Sequence, residues 1–122
     1  MNGPIQRHGA PYTFMRYAKP AQTHGQVQLP TEILNDGQPW MMFASIQPIR
    51  GMMVLMLPEG YRDRGGVTVY TETPMQLCDD TKGIYGDRFT WNGYLYEVTF
   101  RADWTGKRLN HLEYQAFKVE KT

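Results

Sequence analysis

The chain has 122 residues, 41% hydrophobic and 20% charged, which is enough for one domain with a single core and too little for a second. Thirteen basic against twelve acidic residues leave a formal net charge of +1, so no global field draws the chain onto nucleic acid or an anionic bilayer, and any such contact is local. The single cysteine, Cys78, excludes an internal disulfide and a thiolate metal cluster, and points to a reducing compartment.

In chain order, residues 1–8 lack the apolar stretch of a signal peptide, and no apolar run approaches the roughly 18 residues of a membrane helix, so a soluble, unexported protein without a membrane partner is predicted. Residues 1–38 are rich in Gly, Pro, Gln and Asn and offer only short extended candidates at 12–17 and 27–29. They read as an extended N-terminal arm with loops, ahead of a β domain over 39–122. Residues 40–49 alternate loosely, with Met42, Ala44 and Ile46 on one face and Phe43 and Ser45 on the other, as a strand that Pro48 ends or places at an edge. The apolar run 52–57 suits one or two helical turns or a buried strand, and is read as a short helix. Residues 67–71 alternate cleanly after Gly65-Gly66, and 75–78 follow Pro74 as a further short strand.

Residues 87–98 spell a β-hairpin with its turn written in. Both central positions of a type I′ turn need positive φ, which Gly93 adopts freely and Asn92 tolerates. Counting outward sets Trp91 against Tyr94, Phe89 against Tyr96 and Asp87 against Val98 on one face, with Thr90 against Leu95 and Arg88 against Glu97 on the other. A two-stranded hairpin is marginal alone, so its aromatic face requires more sheet. Residues 109–120 open with Leu112, Tyr114 and Ala116 on one face and then change phase to Phe117 and Val119, as a β-bulge or a helical segment would. The sum is an all-β fold, a small barrel or sandwich of about six strands with one short helix.

Chemistry-bearing residues form no catalytic constellation. His8, His24 and His111 stand at no metal-ligand spacing, and His111 reads as a surface or interface histidine; no phosphate loop or nucleophile elbow occurs, and neither catalytic residues, a metal site nor a cofactor is assigned. Cys78 has no neighbour that would lower its pKa and reads as a small buried strand residue. The segment from Asp79 and Asp80 through Lys82 lacks the alternation of a calcium loop and reads as a solvated turn. Tyr61, Arg62 and Arg64 lie on a glycine-flanked loop where they suit either phosphate and base contact or local pairing with Asp63. Met41, Met42, Met52, Met53 and Met56 concentrate methionine in one region, as core or as subunit contact.

A resemblance rests on Phe43-Ala-Ser-Ile-Gln-Pro-Ile-Arg-Gly51, Leu57-Pro-Glu-Gly-Tyr-Arg62, Val69-Tyr-Thr71, the 87–98 hairpin, Asp103-Trp104 and His111. In that order they resemble the pattern of small neck proteins of tailed bacteriophages, the head-closure and head-to-tail connector proteins, over about two-thirds of the chain. Met52-Met53-Val54 and the first 40 residues depart from it. The resemblance implies a virion structural protein, assembled in the bacterial cytoplasm, that forms a homo-oligomeric ring below the portal or an adaptor, meets the tail or its terminator, and helps retain packaged DNA, with non-specific DNA contact. Within that reading Met41, Met52, Met53, Met56, Tyr61, Arg62 and Arg64 are candidate subunit or partner contacts. Asp79, Asp80, Lys82, Tyr85 and Asp87 form a candidate channel loop, acidic and glycine-bearing as a lining around a polyanion requires, or else an outer surface loop. The alternative function is a small β-barrel that binds single-stranded nucleic acid through Tyr61, Arg62, Arg64 and strand aromatics.

Overall fold

The computed structural model describes residues 9–18, 31–102 and 112–119, and the backbone of 22–23 and 26–27. Its centre is one antiparallel sheet in the order β1 (Ala10–Phe14), β6 (Trp40–Pro48), β7 (Gly66–Thr71), β10 (Leu112–Lys118), β9 (Tyr94–Arg101) and β8 (Arg88–Trp91). Met15 and Arg88 join the two outermost strands through backbone bonds of 2.7 and 3.0 Å, so the six strands make a nearly closed barrel. Alternation along each strand sends one set of side chains inward. Phe14, Met42, Ala44, Val67, Val69, Phe89, Tyr96, Val98, Tyr114 and Ala116 fill the interior together with Met75. The all-β expectation, about six strands and one short helix, describes the molecule.

The hairpin register is the one counted from Asn92-Gly93: Trp91 opposes Tyr94, Thr90 Leu95, Phe89 Tyr96 and Arg88 Glu97. Asn92 and Gly93 have φ of 51° and 81°, the two positive values a type I′ turn demands. Asp36 and Gly37, at 52° and 79°, make a second such turn between the bridged residues Asn35 and Gln38. Asp-Gly is as strong a turn signal as Asn-Gly, and this one escaped the reading of 1–38 as arm and loops.

The phase change near the C-terminus has its cause on the neighbouring strand. Gln115 pairs with Phe100 and Ala116 with Val98, so Thr99 is an extra residue in β9, a β-bulge. Beyond it Phe100 leaves the barrel interior for the outer surface, where it meets Phe117 at 6.0 Å between ring centres.

Two expectations need correction. Residues 1–38 are not an arm throughout, because β1 pairs with β6 over five residues, Phe14 is 3% exposed in the core, and Arg16 reaches a buried carboxylate. Residues 75–78 are not a strand. Their backbone donors are diverted, Met75 N–H to the Tyr114 hydroxyl at 3.0 Å and Gln76 N–H to the Asp87 carboxylate at 2.8 Å, while Cys78 N–H alone reaches a ladder carbonyl, that of Val98.

Beyond Met15 the chain forms two short strand pairs. β2 (Arg16–Tyr17) pairs with β5 (Glu32–Ile33), and β3 (Gln22–Thr23) with β4 (Gln26–Val27). Both pairs, and the Ala18 to Thr31 hydrogen bond of 2.8 Å between them, count back to the same two residues, His24 and Gly25. The described pairs thus share a single register. The resemblance positions Asp103, Trp104 and His111 lie outside the described residues, as do His8 and His24.

Candidate functional site

The segment between β6 and β7 carries four of the ten exposed large hydrophobic side chains among the described residues, Met52, Met53, Leu55 and Met56. Gly51, at φ 62°, turns the chain out of β6. Met52–Leu55 then forms one helical turn, α1, closed by hydrogen bonds from Met56 to Met53 and Leu57 to Val54. Pro58 lacks the donor that a further turn would need and sits at ψ 145°, which ends α1. The read helix is present at its minimum length.

What holds this turn down lies beneath it. Leu57 is buried, and Tyr61 packs against Phe117 at 4.8 Å and Phe100 at 5.0 Å, on the outer surface that the Thr99 bulge creates. Arg62 donates from Nε to the Leu57 carbonyl and from Nη2 to the Leu55 carbonyl, both at 3.2 Å, so it satisfies acceptors that a one-turn helix leaves open. Arg64 lies over the Tyr61 ring at 5.1 Å and donates to the Lys118 carbonyl at 3.3 Å. Tyr61, Arg62 and Arg64 therefore serve this fold locally. The arginine forks point at main-chain oxygens, and the tyrosine face is covered.

With its underside pinned, the turn presents its remaining side chains outward. Met52 and Met56 are 81% and 82% exposed, and Leu55 and Met53 are 63% and 45% exposed. Burial alone would have selected different residues, because apolar side chains so exposed on a fixed turn are costly in water unless something covers them. A second apolar surface lies on β6, where Met41 and Phe43 point out of the barrel at 59% and 49% exposure. Met42, which the methionine count grouped with them, is core. Of the candidate contact residues, Met41, Met52, Met53, Met56 and Arg62 are exposed, and Tyr61 and Arg64 are half-buried.

The candidate channel loop divides similarly. Asp79 and Ile84 bridge through backbone bonds of 2.9 and 3.0 Å, and Asp80 and Lys82 are exposed on the tight turn between them. Asp79 Oδ1 accepts from the Thr81 hydroxyl at 2.6 Å and its N–H at 3.1 Å; the hydroxyl bond above all holds the Asp79 carboxyl below the usual carboxylate range. Asp87, the last residue before β8, does not face outward from the loop. It is fully buried, gripped by Arg16 and by Gln76 N–H. Tyr85 is half-buried, with the Arg88 guanidinium 4.4 Å from its ring centre and Tyr17 edge-on at 5.6 Å. The exposed part of this loop is Asp80, Thr81, Lys82 and Gly83.

Arg88 completes the wall there, 3.7 Å from Glu97, whose carboxylate also accepts the Gly86 N–H at 2.8 Å. Cys78 is half-buried beside this group, and burial, then Glu97, push its thiol pKa up. A raised pKa is the opposite of what a nucleophilic thiolate requires. Where β1 and β8 part company past their single bridge, a cleft of about 620 Å³ opens, lined by Tyr12, Phe14, Glu32, Arg88, Phe89 and neighbours. Its one carboxylate and one guanidinium are not paired with a nucleophile. Among the described residues no group of three or more His, Cys, Asp or Glu is placed to hold a metal ion, and no helix is long and apolar enough to cross a membrane. Among the described residues the apolar groups of the 52–56 turn and of β6 are exposed, as are Ile33, Leu34, Leu77 and Tyr94 elsewhere. Set beside known protein families and curated proteins, the chain matches none.

Proposed function

We propose that this chain is a structural subunit of the neck of a tailed bacteriophage, which assembles with copies of itself into a ring between the portal or its adaptor and the tail or its terminator. The observation that carries the reading is the pinned turn with Met52, Met53, Leu55 and Met56 held outward. A methionine surface on a rigid base adapts to a partner without reorganising the barrel, and that is the economy of a subunit whose work is assembly. The ordered resemblance of 43–51, 57–62, 69–71 and 87–98 to neck proteins supplies the particular assembly. Helping to retain packaged DNA is part of the same role, with the acidic 79–83 turn as the candidate lining and non-specific contact with the genome. Sedimentation and electron microscopy of the purified chain test the ring, which this reading expects to form. Particles made without the chain test the role: heads should fill, then lose DNA before joining tails. Heads that keep DNA and join tails at normal yield overturn the proposal.

A further inference from the structure

The barrel closes on itself at one seam, and that closure is uneven along its length. The five seams inside the sheet carry at least four register pairs each, β8 on β9 being the shortest, whereas β1 and β8 share the single bridge of Met15 and Arg88. Side-chain ties across this seam gather beside that bridge. Arg16 grips Asp87 with two bonds and reaches the Pro74 carbonyl at 3.2 Å, and Gln76 Nε2 donates to the Tyr17 carbonyl at 3.0 Å. Past the bridge the strands diverge around the cleft, whose lining takes in residues 11–15 and 88–90 without a gap. Met15 and Arg88 turn their main-chain groups toward each other, so strand alternation turns those of Thr13 and Thr90 toward the cleft as well.

The aromatic rings that flank the seam stack away from it. Phe14 stacks on Trp40 of β6, with 6.1 Å between centres and 27° between planes, and Phe89 stacks on Tyr96 of β9 at 5.7 Å and 15°. Each stack joins register partners on one side of the seam. Arg16 likewise has a resting place on its own side, 4.4 Å from the centre of the Trp40 ring. Separating β1 from β8 therefore costs two main-chain bonds and the ties of Arg16 and Gln76, and leaves both stacks whole. Parting any other seam breaks a ladder.

We infer that this seam is a latch built into the barrel: β1 and β8 part together as one local opening, with Arg16 on Asp87 as the bolt, while the other five seams stay paired. The opened form bares the main-chain edges of β1 and β8, the groups to which a further strand pairs. This opening belongs to the single chain and does not depend on the ring reading.

Native-state hydrogen exchange of the whole chain, followed residue by residue in urea below the unfolding transition, tests the latch. The Met15 and Arg88 amides, each bonded across the seam, should share one opening constant, larger than that of the β7 and β10 amides and nearly independent of urea. Arg16→Lys keeps the charge and loses the two-pronged fork, so it should speed exchange of both seam amides by about tenfold. Val69→Ala cuts into the core on β7, across the barrel from the seam, at a residue with 0% exposure. It should speed the β7 and β10 amides by about tenfold or more and leave the two seam amides unchanged, because its loss is felt when the whole barrel unfolds and not when the latch opens. Seam amides that share the urea dependence of β7 and β10, or that speed up with them in Val69→Ala, open only with the whole barrel, and either result overturns the latch. Seam amides indifferent to Arg16→Lys overturn it as well.

Discussion

Arg16 holds Asp87 from 71 positions away in the chain, with Nε to Oδ1 at 2.9 Å and Nη2 to Oδ2 at 2.7 Å, a two-pronged grip on a carboxylate that no water reaches. The same guanidinium lies 4.4 Å from the centre of the Trp40 ring and donates to the Pro74 carbonyl. Its hydrogen bond to Asp87 above all raises the Arg16 pKa, so the guanidinium keeps its charge. Three distant stretches, the end of β1, the start of β6 and the 74–87 crossing, are tied at one point.

Asp87→Ala should therefore cost more than a surface pair would. It leaves Arg16 without its partner and the Gln76 N–H without its acceptor, which argues for about 2 to 4 kcal/mol, reduced from the fully buried case because Arg16 is one-fifth exposed. Urea denaturation measures it; a change under about 1 kcal/mol would mean the pair is ornamental. Arg16→Met combined with Asp87→Leu should recover much of the loss.

Gly86→Ala should be among the most damaging single methyl additions in the chain. A Cβ there would stand 2.1 Å from the Val98 carbonyl oxygen and 2.9 Å from the Cys78 nitrogen, both main-chain atoms that cannot swing aside. About 3 kcal/mol or more is expected from forced overpacking. A melting temperature within a degree or two of wild type would show that the crossing is looser than its geometry.

The hairpin allows a graded comparison. Gly93→Val places a β-branched residue at φ 81° and should cost about 2 kcal/mol or more, whereas Asn92→Asp should be mild. Trp91 is half-buried, against Tyr96 at 6.1 Å, so Trp91→Ala should cost about 2 to 3 kcal/mol, below the 3 to 5 of a fully buried aromatic. Phe89→Ala, at 1% exposure, should exceed it. The reverse order would contradict the packing.

Alkaline pH should destabilise the barrel through Tyr70, Tyr96 and Cys78, whose pKa values burial raises in each case. The folded chain disfavours their charged forms, so their contribution is full below the ordinary values, about 10 for a phenol and 8.5 for a thiol, and is lost as pH rises through the higher folded ones. Tyrosine absorbance and unfolding should rise together above about pH 10. Asp79 works in the opposite direction: its lowered carboxyl supports the 79–84 turn above the ordinary carboxylate pKa, near 4, and the support is lost as pH falls through the folded value. Amide shifts of Thr81 and Ile84 report it, and Asp79→Asn should abolish the dependence.

How much of this was legible follows from how local each signal is. The 87–98 hairpin could be counted because a two-residue turn fixes its own register, and 67–71 because alternation does. The role of β1 could not, since five residues among Gly and Pro gain their strand character only by pairing with β6, some thirty positions on. Residues 75–78 looked like a strand by composition, but their donors go to Tyr114 and Asp87 side chains that no local rule announces. Arg62 and Arg64 looked available to phosphate because their acceptors are main-chain carbonyls, which a sequence never displays. The exposed methionines were visible as a cluster, but the division into Met42 inside and Met41 outside needed the pleat of β6.

The shared register of β2–β5 and β3–β4 has a consequence for how this protein can change. In each described pair the two residue numbers have the same sum, so removing Thr23 together with Gln26 leaves Gln22 opposite Val27, Tyr17 opposite Glu32 and Arg16 opposite Ile33. Removing one residue from a single side puts the two pairs out of step, and a one-residue slip turns side chains to the opposite face. Changes of length tolerated between β2 and β5 should therefore come in steps of two.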